Sequence, residues 1–123
     1  MNIGGNIQAL LQWKKEDTKN SIGERVVTWE NGITITGWLD LSTGDSKHTT
    51  FSAKVQESTH IFLCDFIDLQ ISGEQGVVDL SSDNVRMIVD GNVYEILLID
   101  NPMGMNNHLE FYLRFIGGEQ NAS

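Results

Sequence analysis

The chain of 123 residues has one cysteine, one proline, three histidines and only eight lysines and arginines against 17 acids. A lone Cys64 excludes an intrachain disulfide and any zinc site built from paired cysteines. It lies in the apolar run His60-Ile-Phe-Leu-Cys-Asp-Phe66, where a buried, inert thiol is expected rather than a nucleophile. The single proline argues against a linker-like or collagenous chain. No apolar run approaches the roughly 20 residues needed to cross a bilayer as a helix. The start, MNIGGNIQALLQWKK, carries its charges after its apolar residues, so no secretory leader is expected and the product is expected to be soluble and cytosolic. There is no P-loop, no GxGxxG and no strained nucleophile turn, and His48, His60 and His108 do not show the close spacing of metal ligands. No catalytic, cofactor-binding or metal-binding residues are therefore assigned, and an enzyme is not expected.

The shortage of bases is unevenly spread. Through residue 60, six bases (Lys14, Lys15, Lys19, Arg25, Lys47, Lys54) face seven acids, a net of −1. From residue 61 on, only Arg86 and Arg114 oppose ten acids, a net of −8. A nucleic-acid binder needs a basic surface to displace counterions, so sequence-specific DNA binding is not expected.

What is present reads as β structure in one domain, residues 1–123. Residues 1–24 form an N-terminal segment of open character. Asn6 is placed to cap a short helix with Ile7, Leu10 and Leu11 on one face, and a strand from Gln8 to Lys14 fits nearly as well. Residues 25–29 are β-branched and aromatic, Asn31-Gly32 has hairpin-turn chemistry, and Ile33, Ile35 and Leu39 then alternate with Thr34, Thr36 and Trp38. Residues 41–59 are mostly small and polar and read as a projecting loop. Residues 60–66 form the next strand. Residues 68–84 are acidic, with Val77, Val78 and Leu80 as anchors. Arg86 to Val89, the turn Asp90-Gly91 and Val93 to Ile99 form the clearest hairpin, which Pro102 stops. The last strand spans residues 108–116, and residues 117–123 are expected to fray.

Five or so strands with no long helical period indicate a small antiparallel sheet or barrel. Its expected core is Ile61, Leu63, Ile88, Ile96, Leu98, Leu109, Phe111 and Leu113. Trp13, Trp29 and Trp38 are read as core residues by default, with Trp38 as the sharper candidate for a subunit contact. Met103 and Met105 flank Gly104 on a loop, where flexible methionines suit an adaptable contact surface.

Residues 86–118, RMIVDGNVYEILLIDNPMGMNNHLEFYLRFIGG, closely resemble the C-terminal part of head-closure (head–tail joining, stopper) proteins from siphophages and prophages of Gram-positive bacteria. Residues 37–66 look similar to the same group, with Leu-Asp-x-x-x-Gly-Asp-Ser-Lys ahead of Glu-Ser-Thr-His, and Ile22-Gly-Glu24 followed by Trp29 fits as well. The departures are Asn101, where a second Asp is usual, and Glu119, where Gln commonly follows Gly-Gly. The resemblance implies a small β-barrel that docks as a ring below portal and adaptor, seals the DNA-filled head and receives the tail. It implies a virion location at the head–tail interface, reached from the host cytoplasm, with portal, adaptor and tail proteins as partners and the genome passing without sequence-specific binding. By position, residues 41–59 match the loop that projects into the channel, which makes Asp45, Ser46, Lys47, His48 and Lys54 its candidate channel residues. Trp38, Met103 and Met105 are the candidate partner contacts. Two other readings stand beside this one: a tail-completion or tail-terminator protein, and a non-viral ligand-binding barrel.

Overall fold

The computed structural model describes residues 4–15, 18–19, 21–41, 58–73 and 76–118. Its strands are β1 (Ile7–Lys14), β2 (Thr18–Lys19), β3 (Arg25–Val26), β4 (Trp29–Leu41), β5 (His60–Asp65), β6 (Gln70–Gly73), β7 (Gly76–Asp79), β8 (Val85–Val89), β9 (Asn92–Asp100) and β10 (His108–Gly118). Six of them close into an antiparallel barrel in the order β1-β4-β5-β10-β9-β8, with β8 returning to β1. β2 with β3, and β6 with β7, form separate two-stranded ribbons. The mainly β, barrel-forming architecture expected from the sequence is what the chain adopts. Closure removes most of the exposed edges that an open sheet would carry.

The N-terminal segment resolves as strand rather than helix. Ala9 and Leu11 are fully buried, with Ile7 and Trp13 packed against the same core, so the apolar residues follow a period of two. β1 pairs with β4 on one edge and β8 on the other, and without it the barrel would not close.

Asn31-Gly32 is not a turn. β4 runs through it without a break, and the register jumps from Leu11↔Ile33 to Gln12↔Asn31, leaving Gly32 as the unopposed residue of a bulge. A Cβ at Gly32 would sit 2.8 Å from the carbonyl oxygen of Leu11, so the glycine serves a close backbone approach rather than a hairpin. The true two-residue turn is Asp90-Gly91, with φ of 50° and 78°, joining the paired residues Val89 and Asn92.

The barrel interior is filled by side chains, as expected for so small a ring. Phe62, Phe111, Leu113 and Met87 are fully buried, and the rings of Phe62 and Phe111 meet edge-on with centroids 6.2 Å apart. Ile96, Leu109, Phe111 and Leu113 are core residues as expected. Ile61, Leu63 and Leu98 are corrected: they are only half-buried, because β5 turns Phe62 and Cys64 inward and its intervening residues outward, and because the bulge of β9 at Leu97 gives the inward position to Ile99 rather than Leu98. Ile88 is buried but stands outside the main core cluster. β10 also continues beyond the point where the sequence suggested fraying, since Gly117 and Gly118 pair with Val93 and Asn92.

The pairings define two ends. At one lie the end of β4, the start of β5, the Asp90-Gly91 turn and the end of β10. At the other, Phe66, Ile67 and Leu69 pack onto the core, Leu80 is buried, and Leu80 N–H donates to the Leu69 carbonyl at 2.7 Å, closing the base of the β6–β7 hairpin. Val78 packs on the core as an anchor, whereas Val77 points to solvent.

Candidate functional site

The connection from β4 to β5 rejoins the barrel at a hydrogen-bonded root, Ser58 to His60. Ser58 is fully buried. Thr59 N–H donates to the Leu113 carbonyl at 2.7 Å, and Thr59 Oγ1 accepts from Phe115 N–H at 2.8 Å while lying 2.9 Å from His60 Nδ1. His60 meets the Tyr94 ring edge-on at 5.1 Å, and Tyr94 meets Phe115 at 5.6 Å. Partial burial in this aromatic cluster lowers the His60 pKa from its ordinary value. The candidate channel residues Asp45, Ser46, Lys47, His48 and Lys54 lie outside the described residues.

Met103 and Met105 sit at the opposite end of the barrel, in the β9–β10 connection. Pro102–Gly104 makes a single 3-10 turn. Asn101 organises the loop: its side-chain amide donates to Asn106 Oδ1 at 2.7 Å, its Oδ1 accepts from Asn106 N–H at 3.0 Å, and its carbonyl accepts from Gly104 N–H at 2.8 Å. These bonds hold Met103 at a φ of 56° and Asn106 at 57°, a left-handed conformation that costs a non-glycine residue about 1–2 kcal/mol. Met103 is 91% exposed and Met105 59% exposed. Trp38 is on the outer face of β4, opposite Leu63, and is also substantially exposed. The three candidate contact residues therefore do not form one patch. Trp13 packs partly on the core, as the default reading expects, and Trp29 is half-buried.

Two polar constellations lie on the barrel's outer surface. The first ties three strands together on the barrel's outer face. Arg86 Nε donates to Gln12 Oε1 at 2.8 Å, Gln12 Nε2 donates to Asn31 Oδ1 at 3.0 Å, and the Arg86 guanidinium stacks 4.5 Å above the Trp29 ring. Gln12 is thereby buried with its hydrogen bonds satisfied. Glu95, opposite Arg86 in the β8–β9 register, forms an ion pair with Arg114 of β10. The two bases of the acidic half thus flank a single carboxylate. The second constellation lies along the outside of β10, where Glu110 accepts from Tyr112 O–H at 2.8 Å and lies 3.0 Å from His108 Nε2. Burial, that hydrogen bond and the charges of Glu110 and Asp100 raise the Tyr112 pKa well above its ordinary value, so the phenol stays a donor. The first constellation joins residues distant in sequence, which only the register brings together, whereas the second joins alternate residues of one strand, which the period of two already places on one face.

Burial, and next the charge of Asp65, push the Cys64 thiol up to about 11, so it behaves as a small core hydrophobe. Among the described residues, no group of three or more His, Cys, Asp or Glu side chains could hold a metal ion. Exposed carboxylates stand at both ends of the barrel, at Asp68, Asp79 and Asp83 on one and Asp90 on the other.

No family model matches the chain, and no curated protein matches it. Among solved structures, it is similar to the solution structure of protein SF1141 from Shigella flexneri 2a, with a TM-score of 0.61 and 21% identity over 94% of this chain and 96% of that one. At that identity the likeness speaks to the fold alone.

Proposed function

We propose that this chain is a structural protein of a long-tailed phage's head–tail connector, which docks as a ring under portal and adaptor, closes the filled head and offers the tail its attachment surface. The observation that carries the reading is the architecture around residues 41–59. A closed, side-chain-filled barrel receives the end of a long connection at a hydrogen-bonded root, where Ser58 is buried and His60 packs on aromatic rings. That is a rigid mount for a projecting segment, and it falls where the sequence resembles the stopper segment of head-closure proteins.

Two further observations support it. The chain works by contact in this reading, and the ordered loop at the other barrel end presents Met103 and Met105 to solvent in a conformation fixed by Asn101. Loops that hold backbone strain are frequently binding elements. The surface charge suits a conduit as well: a net charge of −9 repels DNA phosphate, so the genome slides past rather than sticking.

The test is deletion of the coding sequence from the phage or prophage that carries it. Particles are then scored by electron microscopy and by nuclease protection of packaged DNA. The expected result is assembled heads that package DNA, fail to retain it and remain tailless. Stable, full heads beside defective tails would assign the chain to tail completion instead. Normal virions would remove it from the virion altogether.

A further inference from the structure

Among the described residues, one stretch of the barrel wall has no neighbouring strand. β4 has 13 residues, yet β5 pairs only with its far end, from Gly37↔Cys64 to Leu41↔His60. β1 covers the other edge of β4 from Trp29 to Gly37. After Asp65 the chain leaves the wall, and Phe66, Ile67 and Leu69 pack over the mouth of the core. Residues 33–36 therefore turn a backbone edge toward a side where, among the described residues, no strand pairs with them.

A cleft of about 340 Å³ runs along this edge. All four of residues 33–36 line it, and Cys64, Asp65, Ile67 and Asp68 face them. Successive strand residues point to opposite faces of a sheet. Four in a row share one cleft only when the cleft follows the strand's edge rather than either face. Exposed edges are normally blunted by lysine, proline, a bulge or an inward charge. Residues 33–36 are Ile-Thr-Ile-Thr, uncharged and strongly β-forming, and the bulge of β4 lies one residue earlier, at Gly32. Thr34 and Thr36 are exposed. The opposite rim is acidic: Asp68 is exposed, and Asp65 is half-buried with its Oδ2 accepting from Gly4 N–H at 3.4 Å.

We propose that this edge receives an extended segment of a partner protein, which adds to β4 as a further strand and places a lysine or arginine against Asp68. Main-chain hydrogen bonds to residues 33–36 supply affinity, and the acidic rim supplies selection, as in other cases of strand addition. The inference goes beyond the connector reading and does not depend on it.

The test is selection of a random peptide library on the full-length chain, followed by mapping of enriched peptides through amide chemical shifts and hydrogen exchange. The expected peptides alternate β-branched and polar residues and carry a lysine or arginine. Their binding shifts the amides of residues 33–36 together with Asp65 and Asp68, and protects from exchange the alternate amides of residues 33–36 that point away from β1. Asp68→Lys should weaken binding about tenfold, the scale of one charge-assisted contact, while leaving the core amide shifts unchanged. Methylating alternate peptide amides should abolish binding in one of the two possible registers. The proposal is overturned if no peptide is enriched, if enriched peptides map elsewhere (the cleft between Trp29 and Ile116, for example), or if methylation in both registers leaves binding intact.

Discussion

At the scale of single residues, the interior of β5 offers the sharpest contrast. Phe62 is fully buried against Phe111, whereas its neighbour Leu63 is half-buried on the outer face. Truncating a buried aromatic loses its transfer free energy and leaves a cavity. Phe62→Ala should therefore cost about 3–5 kcal/mol in urea unfolding, and Leu63→Ala about 1 kcal/mol. Equal costs would mean that the two faces of β5 are misassigned. His60 makes a second prediction, in pH. Burial favours its neutral form, so its pKa is lower folded than unfolded. The unfolded chain then binds more protons in the window below the ordinary value of about 6.5. The contribution of His60 is complete above that value and is lost as pH falls toward the depressed folded pKa. The melting temperature of the wild-type chain should drop between pH 7 and pH 5 by more than that of His60→Asn, and parallel profiles would exclude this role.

At the scale of elements, β4 shows why local chemistry can mislead. Asn-Gly between two β-forming runs signals a hairpin, yet here β1 lies alongside the whole stretch and converts the pair into a bulge. The choice rested on a partner strand rather than on the dipeptide. The β4–β5 connection carries the prediction that belongs at this level. Loop-closure entropy changes by only about 0.6 kcal/mol per halving of length, and Thr59 at the root is bonded to Leu113 and Phe115 of β10. Replacing residues 42–54 by a short Gly-Ser link should leave unfolding free energy within about 1 kcal/mol of wild type. The same variant should let packaged DNA escape from otherwise complete heads, as read by nuclease sensitivity. Heads that retain their DNA would show that the seal lies elsewhere.

At the scale of the whole molecule, charge decides what the surface will meet. With a net charge of −9 the chain repels phosphate, and among the described residues Arg86 and Arg114 are engaged by Gln12, Trp29 and Glu95. Titration with duplex DNA at low salt, where such binding is strongest, should show no saturable complex. Tight binding that weakens steeply with salt would contradict this charge layout.

The β class, the Asp90-Gly91 hairpin, the alternation along β10 and the buried, inert character of Cys64 were all legible in the sequence, because each rests on neighbours within a few positions. Turn chemistry and a period of two are local signals. The tertiary structure alone decided the rest. It chose strand over helix for β1, since closing the barrel between β4 and β8 outweighs a weak local preference. It set which face of β5 is inward, because a short run of uninterrupted apolar residues reads the same from either side and only register distinguishes Phe62 from Leu63. It joined Gln12 to Arg86 across 74 positions, and by ending β5 at Asp65 it left residues 33–36 with no pairing strand on that edge among the described residues. Those features are properties of pairing between distant strands, and pairing is written in the geometry of closure rather than in any one segment.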